Sequence, residues 1–136
     1  MKSCIYLLSI VFLLCGCEDK AVVNIYNKDT ASNKLECIKL VIFPPDRMIE
    51  STLNSLYKFK TPCKVELQIS KKSSIVCNSN QNSQRKALSN FPSSYLRMQL
   101  LKDRSVFYDY YIDLDHKVDA DDIKRAFNRI EDDLHL

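Results

Sequence analysis

The chain has 136 residues, of which 46% are apolar and 27% are charged, and its net charge is +3 at pH 7. This length and mixture are typical of one folded soluble domain, and they exclude a disordered tail or a protein with several membrane spans. The single glycine, Gly16, excludes a P-loop, a Rossmann fingerprint and a collagen repeat, because each needs several glycines. Six cysteines are the other unusual feature, and three of them lie within the first 17 residues.

The N-terminal segment has the layout of a secretory signal. Lys2 supplies a positive charge, residues 5–15 are apolar except for Ser9, and a charged run begins at Glu18. A helix needs about 20 apolar residues to cross a bilayer, so this run is too short for a transmembrane span. A charged start, a short apolar run and a small residue at its end are instead typical of a signal peptide.

The end of this segment, Leu14-Cys15-Gly16-Cys17, resembles the lipobox of bacterial lipoproteins. The resemblance implies that the chain is cleaved before Cys17 and that Cys17 carries a diacylglyceryl group, often with a further acyl chain on the new amine. Two or three acyl chains, at about 0.8 kcal/mol per buried methylene, anchor a protein durably. We therefore expect residues 1–16 to be a signal peptide, and the mature protein to be attached to the inner or outer membrane with its domain in the periplasm.

The first part of the mature chain predicts a tether followed by a compact domain. Residues 17–33 are mostly polar, with a short edge strand over residues 21–26 and then a loop. The compact domain is expected over residues 34–136. It begins with an apolar strand over residues 34–43, which Pro44 ends.

Next, the spacing of apolar residues predicts an amphipathic helix over residues 46–57, with Asp46 as its N-cap. From Cys63 to Ile69 apolar and polar residues alternate, which indicates a strand with one buried face. A turn at residues 70–72 and a returning strand over residues 73–77 complete a predicted hairpin.

This hairpin places Cys63 opposite Cys77, and a disulfide between them is the prediction. Two alternatives stay open: Cys37 bonds to Cys63 or to Cys77, or all three cysteines are buried thiols. No two of these cysteines have CxxC spacing, so the sequence supports neither a redox motif nor a zinc site.

The second half of the chain predicts a loop over residues 78–84, a short helix over residues 85–91 and a second hairpin. Its strands cover residues 94–101 and 105–114. A final helix follows over residues 119–134, with apolar residues at helical spacing behind the cap Asp119. The predicted fold is α+β, a single antiparallel sheet of about five to six strands with the helices near 46–57 and 119–134 packed on one face.

The sequence offers no convergent catalytic set and no cofactor motif. His116 and His135 are isolated, and no GxSxG elbow is present. The acidic cluster that begins at Asp113 resembles a calcium loop only faintly, since Val118 and Lys124 occupy the positions of its glycine and glutamate. An acidic turn followed by a helix cap explains it better, so we expect no enzyme activity, metal or cofactor.

Two surface features suggest binding. Tyrosine clusters are favoured at interfaces, and Tyr95, Phe107 and Tyr111 are expected to face outward as a partner surface. Ordinary packing of these rings in the core and on the sheet is the alternative that stays open. Residues 17–102 carry 14 basic and 7 acidic side chains, whereas residues 103–136 carry 5 and 10. Such asymmetry steers charged partners. For an exported protein these are anionic lipids, lipopolysaccharide, peptidoglycan or acidic proteins rather than nucleic acid. The preferred explanation of the lysines is that they lie on solvated strand faces and turns.

These features favour a non-enzymatic envelope lipoprotein that binds another protein, as an assembly component of secretion, pilus or conjugation machinery. The alternative is an immunity, inhibitor or exclusion lipoprotein that blocks a toxin, a wall hydrolase, a phage or a plasmid. The absence of glycine from the mature chain supports binding over catalysis, because glycine-built phosphate loops and nucleophile elbows are then unavailable.

Overall fold

The computed structural model describes residues 21–73 and 93–136. The predicted signal peptide, Cys17 and the elements predicted between residues 74 and 92 lie outside these described residues. Within them no helix is both long and apolar enough to cross a membrane. The elements are, in chain order, β1 Val22–Ile25, α1 Lys28–Ser32, β2 Lys39–Ile42, α2 Arg47–Leu56, β3 Val65–Ser73, β4 Ser94–Lys102, β5 Ser105–Leu114 and α3 Ala120–Leu134.

The α+β fold is confirmed. The strands form one sheet in the order β1-β5-β4-β3-β2, and α2 and α3 pack on one of its faces. The prediction of an entirely antiparallel sheet is wrong at one pair, since β2 runs parallel to β3. The reason is that α2 connects these two strands, and a helical crossover returns the chain to the end of the sheet from which it started.

The start of α2 shows how local sequence fixes its position. The Asp46 carboxylate accepts hydrogen bonds from the backbone N–H groups of Met48 at 2.9 Å and Ile49 at 3.2 Å, as predicted for an N-cap. Lys71 of β3 lies 2.6 Å from the same carboxylate. Its ammonium group, together with the capping bonds, lowers the pKa of Asp46. The cap therefore also ties α2 to the sheet.

Helix α3 begins in a capping box. Asp119 accepts the N–H groups of Asp121 and Asp122, and the Asp122 carboxylate accepts the N–H of Asp119 in return. The predicted apolar stripe of α3 is buried against the sheet and α2. Its central ring, Phe127, lies edge-on to Tyr57 and Phe59 at centroid distances of 5.9 and 6.0 Å.

Helix α1 replaces the loop that was predicted after β1. Asn27 acts as its N-cap, with the side-chain oxygen accepting the Thr30 N–H at 2.9 Å. Ala31 is the one buried side chain of this helix. A single turn with one buried residue lacks the repeated apolar spacing by which helices are recognised, so the loop prediction failed here.

Strand β3 continues through the residues predicted as a turn. Lys71, Lys72 and Ser73 pair with β4 opposite Leu96, Tyr95 and Ser94. A hairpin therefore does not close at residues 70–72, and the register that placed Cys63 opposite Cys77 is lost.

The predicted Cys63–Cys77 disulfide is accordingly wrong. Cys63 bonds instead to Cys37, across a Cα–Cα distance of 6.0 Å, which is one of the two alternatives left open by the sequence. The bond joins the segment before β2 to the segment before β3. It therefore holds together the two parallel strands at the end where both begin.

Candidate protein-binding surface

One face of the sheet is covered by α2 and α3, and along β3 and β4 the opposite face is half-exposed. Side chains on these strands alternate between buried and half-exposed positions over most of their length. We call the second face the open face. The strand register places on it Val22, Asn24, Lys39, Val41, Glu66, Gln68, Ser70, Lys72, Tyr95, Arg97, Gln99, Leu101, Val106, Asp109, Tyr111 and Asp113.

A stacked tyrosine pair lies on the open face. The rings of Tyr95 and Tyr111 are 5.7 Å apart between centroids and inclined by 25°. The Tyr111 hydroxyl donates to the Asp113 carboxylate at 2.6 Å, which raises the pKa of Tyr111 to about 12. The hydroxyl therefore stays protonated near neutral pH. Both rings are half-buried, so each still presents surface to a partner.

Next to this pair, Arg97 and Asp109 form a two-pronged ion pair. Arg97 Nε and Nη2 donate to the two Asp109 oxygens at 2.8 and 2.9 Å. The Asp109 side chain is 5% exposed, whereas that of Arg97 is 41% exposed. The hydrogen bonds to Asp109 raise the pKa of Arg97. The carboxylate thus fixes one edge of the guanidinium group and leaves the remaining surface available.

A shallow groove of about 370 Å³ lies beside these residues near β2. Val41, Gln68 and Gln99 line it, together with Phe43, whose side chain is 78% exposed. An exposed phenylalanine beside half-buried glutamines gives the open face an apolar rim and a hydrogen-bonding floor. Protein interfaces contain both apolar contact area and direct hydrogen bonds, and this groove offers both.

The third residue of the predicted partner surface does not belong to it. Phe107 is 2% exposed and joins the hydrophobic core. The β4–β5 register shifts between Leu100, which pairs with Tyr108, and Leu101, which pairs with Val106. Phe107 is the extra residue of this β-bulge, so the strict alternation from which its exposure was predicted is broken.

A second polar cluster precedes α3. His116, Asp119 and Asp122 each place one potential ligand atom within 4.8 Å of the others. The Asp122 carboxylate already accepts from the Asp119 N–H, from Arg125 and from His116 Nε2, the last at 3.1 Å. A metal ion would have to displace these donors. The cluster therefore matches the helix cap that the sequence predicted.

His116 gives this cap a pH dependence. Its Nδ1 lies 2.8 Å from Asp115, and this hydrogen bond, with that to Asp122, raises the pKa of His116 above 6.5. The contribution to stability is complete below the unfolded-state pKa and is lost as pH rises through the folded-state pKa. We expect His116→Gln to lower the free energy of unfolding by about 0.5 kcal/mol at acidic pH. The effect is this small because the His116 side chain is 44% exposed, so solvent screens its attraction to Asp122.

Chemical denaturation of the wild type and His116→Gln at a series of pH values checks this. The difference in free energy of unfolding between the two proteins should disappear as the pH rises past the raised pKa of His116. A difference that stays constant from acidic to alkaline pH would show that the imidazolium charge is not responsible.

The sequence indicated Tyr95 and Tyr111 but missed Arg97 and Asp109. Both lie on the polar positions of adjacent strands, so the hairpin register alone brings them near one another. Nothing in the spacing showed that Asp109 would be buried. No family model, curated protein or solved structure was found to match this chain.

Proposed function

We propose that the protein is a membrane-anchored lipoprotein of the bacterial envelope that binds another envelope protein through the open face. Its role is that of a non-enzymatic assembly component, of the kind found in secretion, pilus or conjugation machinery. The observation that carries the proposal is the stacked pair Tyr95–Tyr111 on a sheet face that the two main helices leave free. The lipobox resemblance at Cys17 supports the anchored location.

The physical reason for expecting binding at the open face is that its side chains lose little conformational entropy when a partner docks. A tyrosine offers a large contact area with few rotatable bonds, and the Tyr95–Tyr111 stack already restricts both rings. Arg97 is likewise held by Asp109 before any partner arrives. Tyrosine and arginine are enriched among the residues that dominate interface energies. A surface that is ordered in advance loses less entropy when it docks.

Partner capture tests the open face. We expect the full chain, isolated from envelope membranes under mild detergent, to retain a specific protein that Tyr95→Ala/Tyr111→Ala no longer retains. Truncation of interface anchors costs about 2 kcal/mol or more each, which corresponds to a loss of at least about 30-fold in affinity. Leu56→Ala is the matched control, because Leu56 is an exposed apolar residue on α2.

The result of the capture experiment distinguishes the assembly function from the immunity or inhibitor function. Loss with the tyrosine variant and retention with Leu56→Ala support the proposal. Equal retention by both variants contradicts the use of the open face. If the captured protein is a toxin or wall hydrolase that the chain inhibits, the immunity or inhibitor function is correct instead.

Lipid labelling tests the anchor separately. We expect Cys17→Ser to incorporate no labelled palmitate and to leave the membrane fraction. Cys15→Ser should still be labelled, because residue 15 is removed with the signal peptide and serine is accepted at that position of the lipobox. Labelling of Cys17→Ser to the wild-type extent would contradict lipidation at Cys17.

A further inference from the structure

A cavity of about 470 Å³ lies at the end of the sheet where β3 begins and β4 ends. Lys34, Lys64 and Lys102 line it, and among the described residues of its lining Glu36 is the one acidic side chain. We call this cavity the lysine pocket. Its volume lies within the range of about 300–1,000 Å³ that small-molecule sites occupy.

The fold holds the lysines around the pocket from three separate parts of the chain. Lys64 immediately precedes β3, whose first residue, Val65, pairs directly with Lys102 at the end of β4. Lys34 lies in the link between α1 and β2, three residues before Cys37. Because Cys37 is bonded to Cys63, the disulfide restrains Lys34 and Lys64 next to one another.

The charges of the pocket are not neutralised within the described part of the chain. There, none of the three ammonium groups forms an ion pair, although other lysines do, such as Lys39 with Glu66 and Lys71 with Asp46. Three ammonium groups against the single carboxylate of Glu36 leave the lining with a net positive charge, and a concave site with a net charge concentrates its field and attracts an ion of the opposite sign. Screening over about 8 Å at physiological salt weakens this field outside the cavity more than within it.

The remaining lining selects the kind of anion. Thr30 and Asn33 offer a hydroxyl and a carboxamide, which donate hydrogen bonds to oxygen acceptors. Leu35, Pro62 and Val65 add an apolar wall against which a short carbon skeleton can pack. Several lysines acting as point charges are a common means of binding phosphate. We infer that the lysine pocket binds a phosphate ester with a small organic group, such as the glycerol phosphate of a lipid headgroup or its soluble counterpart.

This inference is independent of the proposed function, since the lysine pocket shares no residue with the tyrosine pair of the open face. The full chain in neutral detergent is titrated by calorimetry with soluble glycerol 3-phosphate. In a second arm it is titrated with phosphatidylglycerol in mixed micelles of the same detergent, with phosphatidylcholine micelles as reference. The two arms distinguish the soluble ester from the lipid headgroup.

Charge-removing variants assign the binding to the pocket. We expect Lys34→Gln/Lys64→Gln/Lys102→Gln to weaken binding at least about tenfold, because each lost charge-assisted hydrogen bond costs more than a neutral one. The matched control is the triple glutamine variant at Lys58, Lys72 and Lys117, which are exposed and outside the pocket. It changes the net charge by the same amount and should bind as the wild type does.

Binding in either arm that the pocket variant loses and the control keeps supports the inference. Equal weakening by both triple variants would show a general charge effect and overturn it. Absence of binding in both arms would overturn it as well. Circular dichroism of each variant verifies that it is folded, and a pocket variant that fails to fold is replaced by the single change Lys102→Gln.

Discussion

Phe127→Ala should lower the free energy of unfolding by about 3–5 kcal/mol. Phe127 is fully buried and packs edge-on against Tyr57 and Phe59. Its removal loses the transfer free energy of the ring and leaves a cavity where α3, α2 and the segment after α2 meet. A domain of this size is stable by about 5–15 kcal/mol, so the loss is a large part of the total.

Urea denaturation measures this loss, and Phe43→Ala supplies the matched control. The chemical change is the same, but Phe43 is 78% exposed, and we expect a change within about 0.5 kcal/mol. Phe127→Leu should fall between the two, because it keeps an apolar side chain in the stripe of α3. Equal effects of Phe127→Ala and Phe43→Ala would contradict the packing of α3 described above.

Removal of the Cys37–Cys63 disulfide should also lower the free energy of unfolding by several kcal/mol. The two cysteines are 26 residues apart, and closing a loop of this length in the unfolded chain is worth about 3.5 kcal/mol in the chain-entropy model. The closed loop contains β2 and α2, and α2 is the crossover helix that leads to β3. We therefore expect Cys37→Ala/Cys63→Ala to lower the free energy of unfolding by roughly this amount and to loosen the parallel pair first.

Thiol alkylation identifies the pairing directly. In Cys37→Ala the Cys63 thiol should become open to alkylation without prior reduction, whereas in Cys77→Ala Cys63 should remain blocked. The reverse pattern would restore the pairing predicted from the sequence. Denaturation of Cys77→Ala serves as the control for stability, since losing a cysteine outside the bond should not remove the loop-closure contribution.

The parts of the fold that followed from the sequence are those with a strong local signal. Helix α3 combines an acidic capping box with a long apolar stripe, and α2 combines Asp46 with a shorter one. The β4–β5 hairpin follows from two alternating runs around a polar turn. Here Asp103 and Arg104 adopt positive φ angles of 50° and 69°, a conformation that hairpin turns require even where glycine is absent.

The features of the fold that the sequence did not predict depend on contacts between residues far apart in the chain. The parallel pairing of β2 is decided by where α2 docks, and nothing in the four residues of β2 encodes the direction of its partner. The turn predicted at Ser70-Lys71-Lys72 rested on its polarity. Lys71 stays within the strand because its ammonium group has Asp46 as a partner on the helix side of the sheet.

The residues of the candidate site likewise include some that the sequence predicted and some that it did not. Tyr95 and Tyr111 were predicted from composition and strand alternation, and both lie on the open face. Phe107 was misplaced by a β-bulge, which adds one residue and which polarity alone does not reveal. The sequence did not predict the lysine pocket, because its three lysines lie up to 68 positions apart, from 34 to 102, and only the sheet register and the disulfide bring them together.

The most direct test of the proposed partner binding is site-specific photo-crosslinking in living cells. A photoreactive amino acid replaces Tyr95 or Tyr111 in turn, and Lys124, exposed on α3, serves as the control position. We expect positions 95 and 111 to give an adduct with the same protein and position 124 to give none. Adducts of equal yield from all three positions, or none from 95 and 111 in a chain that is folded and present in the membrane fraction, would contradict this expectation.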